Sequence, residues 1–210
     1  MQSLKENKNY IDICFCVFLM LFLGCKESSF DSLDDMHNYI NEEANGYVYH
    51  KTVKGIDFTL MYKPIDLIVA QELEDLNSEN EIDSLRNVYK DFLYFNLYMS
   101  KDNKELLSVV AKNKSDFSAK VNTLVYNMNE NVNLFTKKKD TIELIDFVYP
   151  RMYGMSNSTA IMFVYPRDEK HLSEEYLNFT IEDLGLNTGE VKFKIETKNI
   201  KSEPKLSFKN

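Results

Sequence analysis

The decapeptide Asp91–Ser100, DFLYFNLYMS, restricts the fold more than any other stretch of the chain. Side chains of an extended backbone alternate between its two faces. Phe92, Tyr94 and Tyr98 therefore point one way, and Leu93, Phe95, Leu97 and Met99 the other. Neither face suits water. A strand that is apolar on both sides belongs at the centre of a sheet, with cover over each face. Asn96 is the exception within it. A buried amide must find hydrogen-bond partners, so Asn96 pairs locally or lines a pocket.

Helical signals dominate the segments around this strand. Ser32 with Asp35 three residues on has the spacing of a capping box. Leu33, Met36 and Ile40 then share one helical face, and Gly46 follows the expected stop. Tyr47–Val53 and Ile56–Tyr62 flank Lys54-Gly55, which predicts a hairpin closed by a two-residue turn. Pro64 opens a helix whose buried stripe is Ile65, Ile68, Val69, Leu73 and Leu76. Ser78 and Glu81 repeat the capping spacing for a short helix through Leu85. Beyond the central strand, Asp102 is expected to begin a helix carrying Leu106, Leu107 and Val110. Ser115 is expected to cap a longer one carrying Phe117, Val121, Leu124, Val125 and Met128.

From Val132 onward the pattern turns to β. Leu134-Phe135 precede a Lys137–Asp140 turn, and Thr141–Tyr149 and Thr159–Tyr165 read as strands. Tyr176–Glu182 and Glu190–Thr197 alternate cleanly, with Leu177, Phe179 and Ile181 facing Val191, Phe193 and Ile195. The last dozen residues are polar, contain Pro204 and are expected to fray. The order of elements shows neither a strict βαβ alternation nor a long repeat. The expected class is α+β: a mostly antiparallel sheet with helices packed on one face and a β-rich C-terminal third. A β-sandwich with a helical insertion is the next choice.

The N-terminal 25 residues have a different character. An apolar run from Ile13 to Leu23 is too short for an ordinary transmembrane helix and has the length of a secretory apolar region. It ends in Leu21-Phe22-Leu23-Gly24-Cys25. This ending resembles the lipobox of bacterial lipoprotein precursors. The resemblance implies cleavage before Cys25, a diacylglycerol on its thiol, and acylation (palmitate, for example) of the new amino group. It divides the chain into a signal peptide over 1–24, a lipid-anchored tether over 25–31 and one α+β domain over 32–210. The expected location is the cell envelope, facing the periplasm or the cell surface, on the outer membrane in a Gram-negative cell. Cys14 and Cys16 would leave with the leader, so the mature chain would hold no free thiol and no disulfide. Two acyl chains suffice for stable anchoring.

Composition narrows the partners. The chain carries 25 Lys plus Arg against 33 Asp plus Glu, a formal net charge of −8. The leader holds two of each sign, so the mature part keeps that charge. An acidic domain repels nucleic acid and anionic headgroups. The hydrophobic fraction of 44%, with 13 Tyr and 14 Phe, is enough for a real core.

Few motifs carry chemistry. Phe147-Val148-Tyr149-Pro150-Arg151 recurs 16 residues on as Phe163-Val164-Tyr165-Pro166-Arg167. In each copy the strand ends at Pro, which has no N–H for the ladder. An Arg beside a Tyr at such an exit could grip a carboxylate or phosphate. Tyr149, Arg151, Tyr165 and Arg167 are therefore the candidate ligand-binding residues. If the two strands are antiparallel neighbours, the two corners lie at opposite ends and form no single site; two similar strand exits are the simpler explanation. His37, His50 and His171 have no metal-binding spacing, and there is no HExxH, GxSxG or glycine-rich phosphate loop. The carboxylate pairs are as numerous as chance provides. No metal and no cofactor is expected.

These features favour a non-enzymatic, lipid-anchored envelope protein that binds another envelope protein or a polymer. Two alternatives stand: a periplasmic or surface hydrolase acting on glycan or peptide, and an immunity or inhibitor lipoprotein. A cleft holding His50 or His171 beside a buried carboxylate would favour the hydrolase.

Overall fold

The computed structural model describes residues 28–73, 79–152 and 154–208. The described part opens with a short strand β1 (Ser29–Phe30) and helix α1 (Leu33–Asn41). The Ser32 hydroxyl accepts from the Asp35 N–H at 3.0 Å and caps α1, as the spacing predicts. Strands β2 (Val48–Val53) and β3 (Ile56–Tyr62) form the expected hairpin. Lys54 and Gly55 both hold positive φ, 54° and 74°, the geometry of a turn that follows the twist of its strands.

Helices α2 (Ile65–Glu72) and α3 (Glu79–Tyr89) lead to the central strand β4 (Phe92–Lys101). Asp102 does not start a helix. Asp102 and Asn103 take positive φ, 53° and 55°, and fold the chain back into β5 (Lys104–Glu105), and α4 (Leu106–Val110) follows only then. Asp and Asn tolerate the left-handed region better than most residues because their short polar side chains can bond locally. Asn113, rather than Ser115, caps α5 (Lys114–Tyr126), accepting from the Asp116 N–H.

The C-terminal third is β-rich. Its elements are β6 (Val132–Thr136), β7 (Thr141–Ile142), β8 (Asp146–Val148), β9 (Thr159–Pro166), α6 (Glu169–Leu172), β10 (Tyr176–Ile181), β11 (Val191–Glu196), α7 (Thr197–Lys201) and β12 (Lys205–Leu206). The expected strand Thr141–Tyr149 is broken in two. Its first part joins one sheet and its second another, with Glu143–Ile145 crossing between them. An apolar run alone does not reveal that its two ends serve different layers.

The fold is α+β with antiparallel sheets, as the pattern of elements predicts. The main sheet runs β2-β3-β4-β9-β8, with β5 hanging on β4, and the second runs β11-β10-β6-β7. The two sheets meet through aromatic rings. Phe179 of β10 lies 5.9 Å from Phe95 of β4, 5.5 Å from Phe163 of β9 and 6.3 Å from Tyr165, centroid to centroid. Such tilted and edge-on contacts add to the area each ring buries. Phe58, Leu60, Leu97, Ile161, Leu134 and Phe193 complete the layer, each almost fully enclosed.

β4 is the centre of its sheet, but its two faces differ. Leu93, Phe95, Leu97 and Met99 are sealed between the sheets. On the outer face Tyr94 is covered by Tyr89 of α3 and by Phe92, whereas Asn96 and Tyr98 are only half covered. The helices therefore close one end of that face and leave the rest concave.

The C-terminal segment does not fray within the described residues. β12 pairs in parallel with β1, and two ionic clusters fasten it. Arg86 grips buried Asp66 with two bonds of 2.8 Å, while the Leu206 N–H donates to the same carboxylate and the Leu206 carbonyl accepts from Arg86. Arg167 donates to Glu203 at 2.7 Å, to the Tyr62 hydroxyl and to the Ile200 carbonyl. The planar fork of arginine suits such multidentate contacts where lysine would not.

Two outcomes follow. Phe179→Ala should cost about 3–5 kcal/mol in urea unfolding, because a large ring is lost where neither sheet can collapse onto the gap. Burial also pushes the phenols of Tyr47, Tyr49 and Tyr94 up to about 12 and that of Tyr62 well above its ordinary value. Below about pH 10 these phenols are neutral in both folded and unfolded chains. Above it the unfolded chain loses protons first, so the urea midpoint should fall steadily between pH 10 and 12.

Candidate functional site

The concave outer face of the main sheet is a hollow of about 750 Å³. Its floor follows from strand alternation. Phe58, Leu60 and Tyr62 of β3 point inward, so Thr59 and Met61 point out. Register then aligns His50, Thr59 and Tyr98 in one cross-strand row, and Val48, Met61 and Asn96 in the next. His37 and Asn41 reach in from α1, Lys63, Leu67 and Gln71 from the start and body of α2, and Asn157 and Ser158 from the loop before β9.

The floor is partly organised by its own hydrogen bonds. His50 Nδ1 and Thr59 Oγ1 lie 2.8 Å apart. The Asn96 amide donates to the Tyr98 hydroxyl at 3.2 Å. Asn96 thus does both things its position in β4 permits: it pairs locally and it lines a pocket.

Lys63 is the unusual member. Its residue surface is only 8% exposed, and its ammonium donates to the side-chain oxygen of Gln71. Burial pulls its pKa below the ordinary lysine value, while the charge of nearby Glu72 acts in the opposite direction. Among the described residues no carboxylate lies within ion-pair distance of it, and no Asp or Glu lines the hollow. The surrounding polar groups are hydroxyls, amides and two imidazoles, with Val48, Met61 and Leu67 between them, in a chain that is acidic as a whole.

The candidate ligand-binding residues Tyr149, Arg151, Tyr165 and Arg167 lie elsewhere. β8 and β9 are antiparallel neighbours, with Phe147 opposite Phe163, so the two Tyr-Pro-Arg corners sit at opposite ends of that pair. Tyr165 is fully buried and Tyr149 partly buried against the core. Arg167 is engaged with Glu203, and Arg151 is exposed. Cys25 lies outside the described residues. His171 is apart from the hollow, 3.9 Å from Asp168. Among the described residues no three His, Cys, Asp or Glu side chains are grouped to hold a metal, and no helix is long and apolar enough to cross a membrane.

The sequence pattern marks His37, His50, Asn96 and Tyr98 but does not bring them together, and it does not mark Lys63. Lys63 looks like a solvated lysine between a strand and a helix. His37 sits one position from buried Met36 and looks like the edge of an apolar face. Only the approach of α1 and α2 to the sheet brings these side chains together. Comparison with family models, with curated proteins and with solved structures finds no match.

A buried charge with no opposite charge in direct contact is a cost to the fold. Because the folded-state pKa of Lys63 is depressed, its contribution is favourable only above the ordinary lysine pKa and is lost as pH falls. Lys63→Met should accordingly raise stability at neutral pH by roughly 1 kcal/mol in urea unfolding.

Proposed function

We propose that this is a lipid-anchored cell-envelope protein that binds a polar ligand in the hollow on its main sheet and performs no catalysis. The observation that carries the binding reading is the lining: converging hydroxyl, amide, imidazole and ammonium groups, with no carboxylate among the described residues. Such groups recognise and orient a ligand. A glycan or peptide hydrolase of the usual kind needs a carboxylate or an activated nucleophile beside the scissile bond. Glu105 is buried, but it accepts from the Gly154 N–H and is not part of the lining. The partner in this reading is an envelope polymer or an envelope protein. Inhibition of an enzyme in the same envelope is the second reading, and nothing in the hollow favours it.

The anchoring reading rests on Leu21-Phe22-Leu23-Gly24-Cys25. The geometry near the N-terminus is compatible with it. Ser29, four residues after Cys25, is held opposite Lys205. Four residues reach at most about 14 Å. A lipid on Cys25 would therefore hold the β1–β12 edge close to the membrane surface, and α1, which contributes His37 and Asn41, packs on that edge.

Two measurements test the proposal. Intact mass of the membrane-fraction protein should show a species starting at Cys25 and heavier by two or three acyl chains. Blocking the lipoprotein signal peptidase should return the leader. A full-length, unlipidated mass would overturn the anchoring. A photocrosslinking residue at Tyr98 should give an adduct in intact cells that the same residue at Lys192, on the opposite sheet, does not. Equal labelling at both positions would remove the hollow as the binding site.

A further inference from the structure

We infer that the hollow takes an anionic, polyhydroxylated ligand, a sugar bearing a carboxylate or a phosphate, with Lys63 as the counter-charge. The inference rests on the binding reading above and adds the class of ligand.

Three part-buried cations of this protein are held by carboxylates. Arg86 meets Asp66 at 2.8 Å, Arg167 meets Glu203 at 2.7 Å, and Lys120 meets Asp116 at 3.2 Å. Each has a carboxylate. Lys63 is more deeply enclosed than any of these and meets a neutral amide. One amide oxygen satisfies one of the three ammonium donors. The remaining donors lie at the wall of a hollow large enough for a ligand of sugar size. An anion placed there would supply the missing charge and recover part of the desolvation cost.

The rest of the lining suits a polyhydroxylated ring. Asn41, Asn96, Asn103 and Asn157 each present an amide that both donates and accepts, and Thr59, Tyr98 and Ser158 add hydroxyls. Sugar hydroxyls also donate and accept, so this set matches a ring bearing several of them. An aliphatic acid would leave most of these groups without a match. The chain is acidic, −8 overall, and its net field disfavours an anion, whereas the hollow is lined by no carboxylate among the described residues.

The test uses the full chain in detergent and three probes of one ring size: glucose, glucuronic acid and glucose 6-phosphate, each titrated calorimetrically. At least one acidic sugar should bind more tightly than glucose, by about tenfold to a hundredfold, the range of a hydrogen bond to a charged group. The two acids separate a carboxylate ligand from a phosphate ligand. Lys63→Met should remove that preference. Gln71→Glu should remove it too, by giving Lys63 an internal carboxylate without taking any packed group out of the core. Added salt should weaken the acidic sugars and leave glucose unchanged. Glucose binding as tightly as both acids, unaltered in the two variants, would overturn the anionic assignment and leave the polar-ligand reading standing. No binding of any probe would overturn the sugar assignment, while the Tyr98 crosslink reports separately on whether the hollow has a partner at all.

Discussion

The fold depends on the contact between Phe179 and the rings of Phe95, Phe163 and Tyr165. Each sheet has one face that water cannot be allowed to reach, and these rings are where the two faces lock. β4 and β9 contribute from the main sheet and β10 from the second, so three strands far apart in sequence are tied at one point. Ring contacts are directional as well as apolar. They set how the sheets lie on each other, and with that the side of β4 left to face outward.

That choice of side governs the site. With Leu93, Phe95, Leu97 and Met99 committed to the interior, Tyr94, Asn96 and Tyr98 must line the exterior. α3 covers Tyr94 and stops short of Asn96. The hollow is therefore what remains of a sheet face once its helices have been placed. The clusters around Asp66 and Glu203 support this placement. Asp66 is on α2 and Arg86 on α3, and both bind β12, so α2 and α3 are held by the far end of the chain. Two of the three arginines of the protein serve these clusters, which leaves Arg151 as the exposed one.

Lys63 stands against that economy. A fold that pairs its sheltered arginines so fully keeps one lysine enclosed with an amide in contact, the charge of nearby Glu72, and no carboxylate within ion-pair distance among the described residues. Sites that bind or react often hold charge in a setting that stability alone would not favour. Its position, where β3 passes into α2, places the ammonium at the rim of the sheet floor, with hydrogen-bonding groups from three strands and two helices around it.

Much of the fold was legible in the sequence. The Lys54-Gly55 hairpin, the Ser32 cap, the central strand and the pairing of Leu177, Phe179 and Ile181 with Val191, Phe193 and Ile195 all follow from local periodicity and turn chemistry. These are short-range properties, decided by side-chain alternation and by which residues accept positive φ. The tertiary structure alone decided three matters. It split Thr141–Tyr149 between two sheets, pinned the polar C-terminal segment by Leu206 backbone hydrogen bonds to Asp66 and Arg86 and by the Glu203–Arg167 ion pair, and gathered Lys63, His37 and Asn96 into one hollow. Each depends on contacts between residues distant in the chain. No local pattern of hydrophobic and polar residues records which charge will meet which partner, or which face of a strand the helices will leave open.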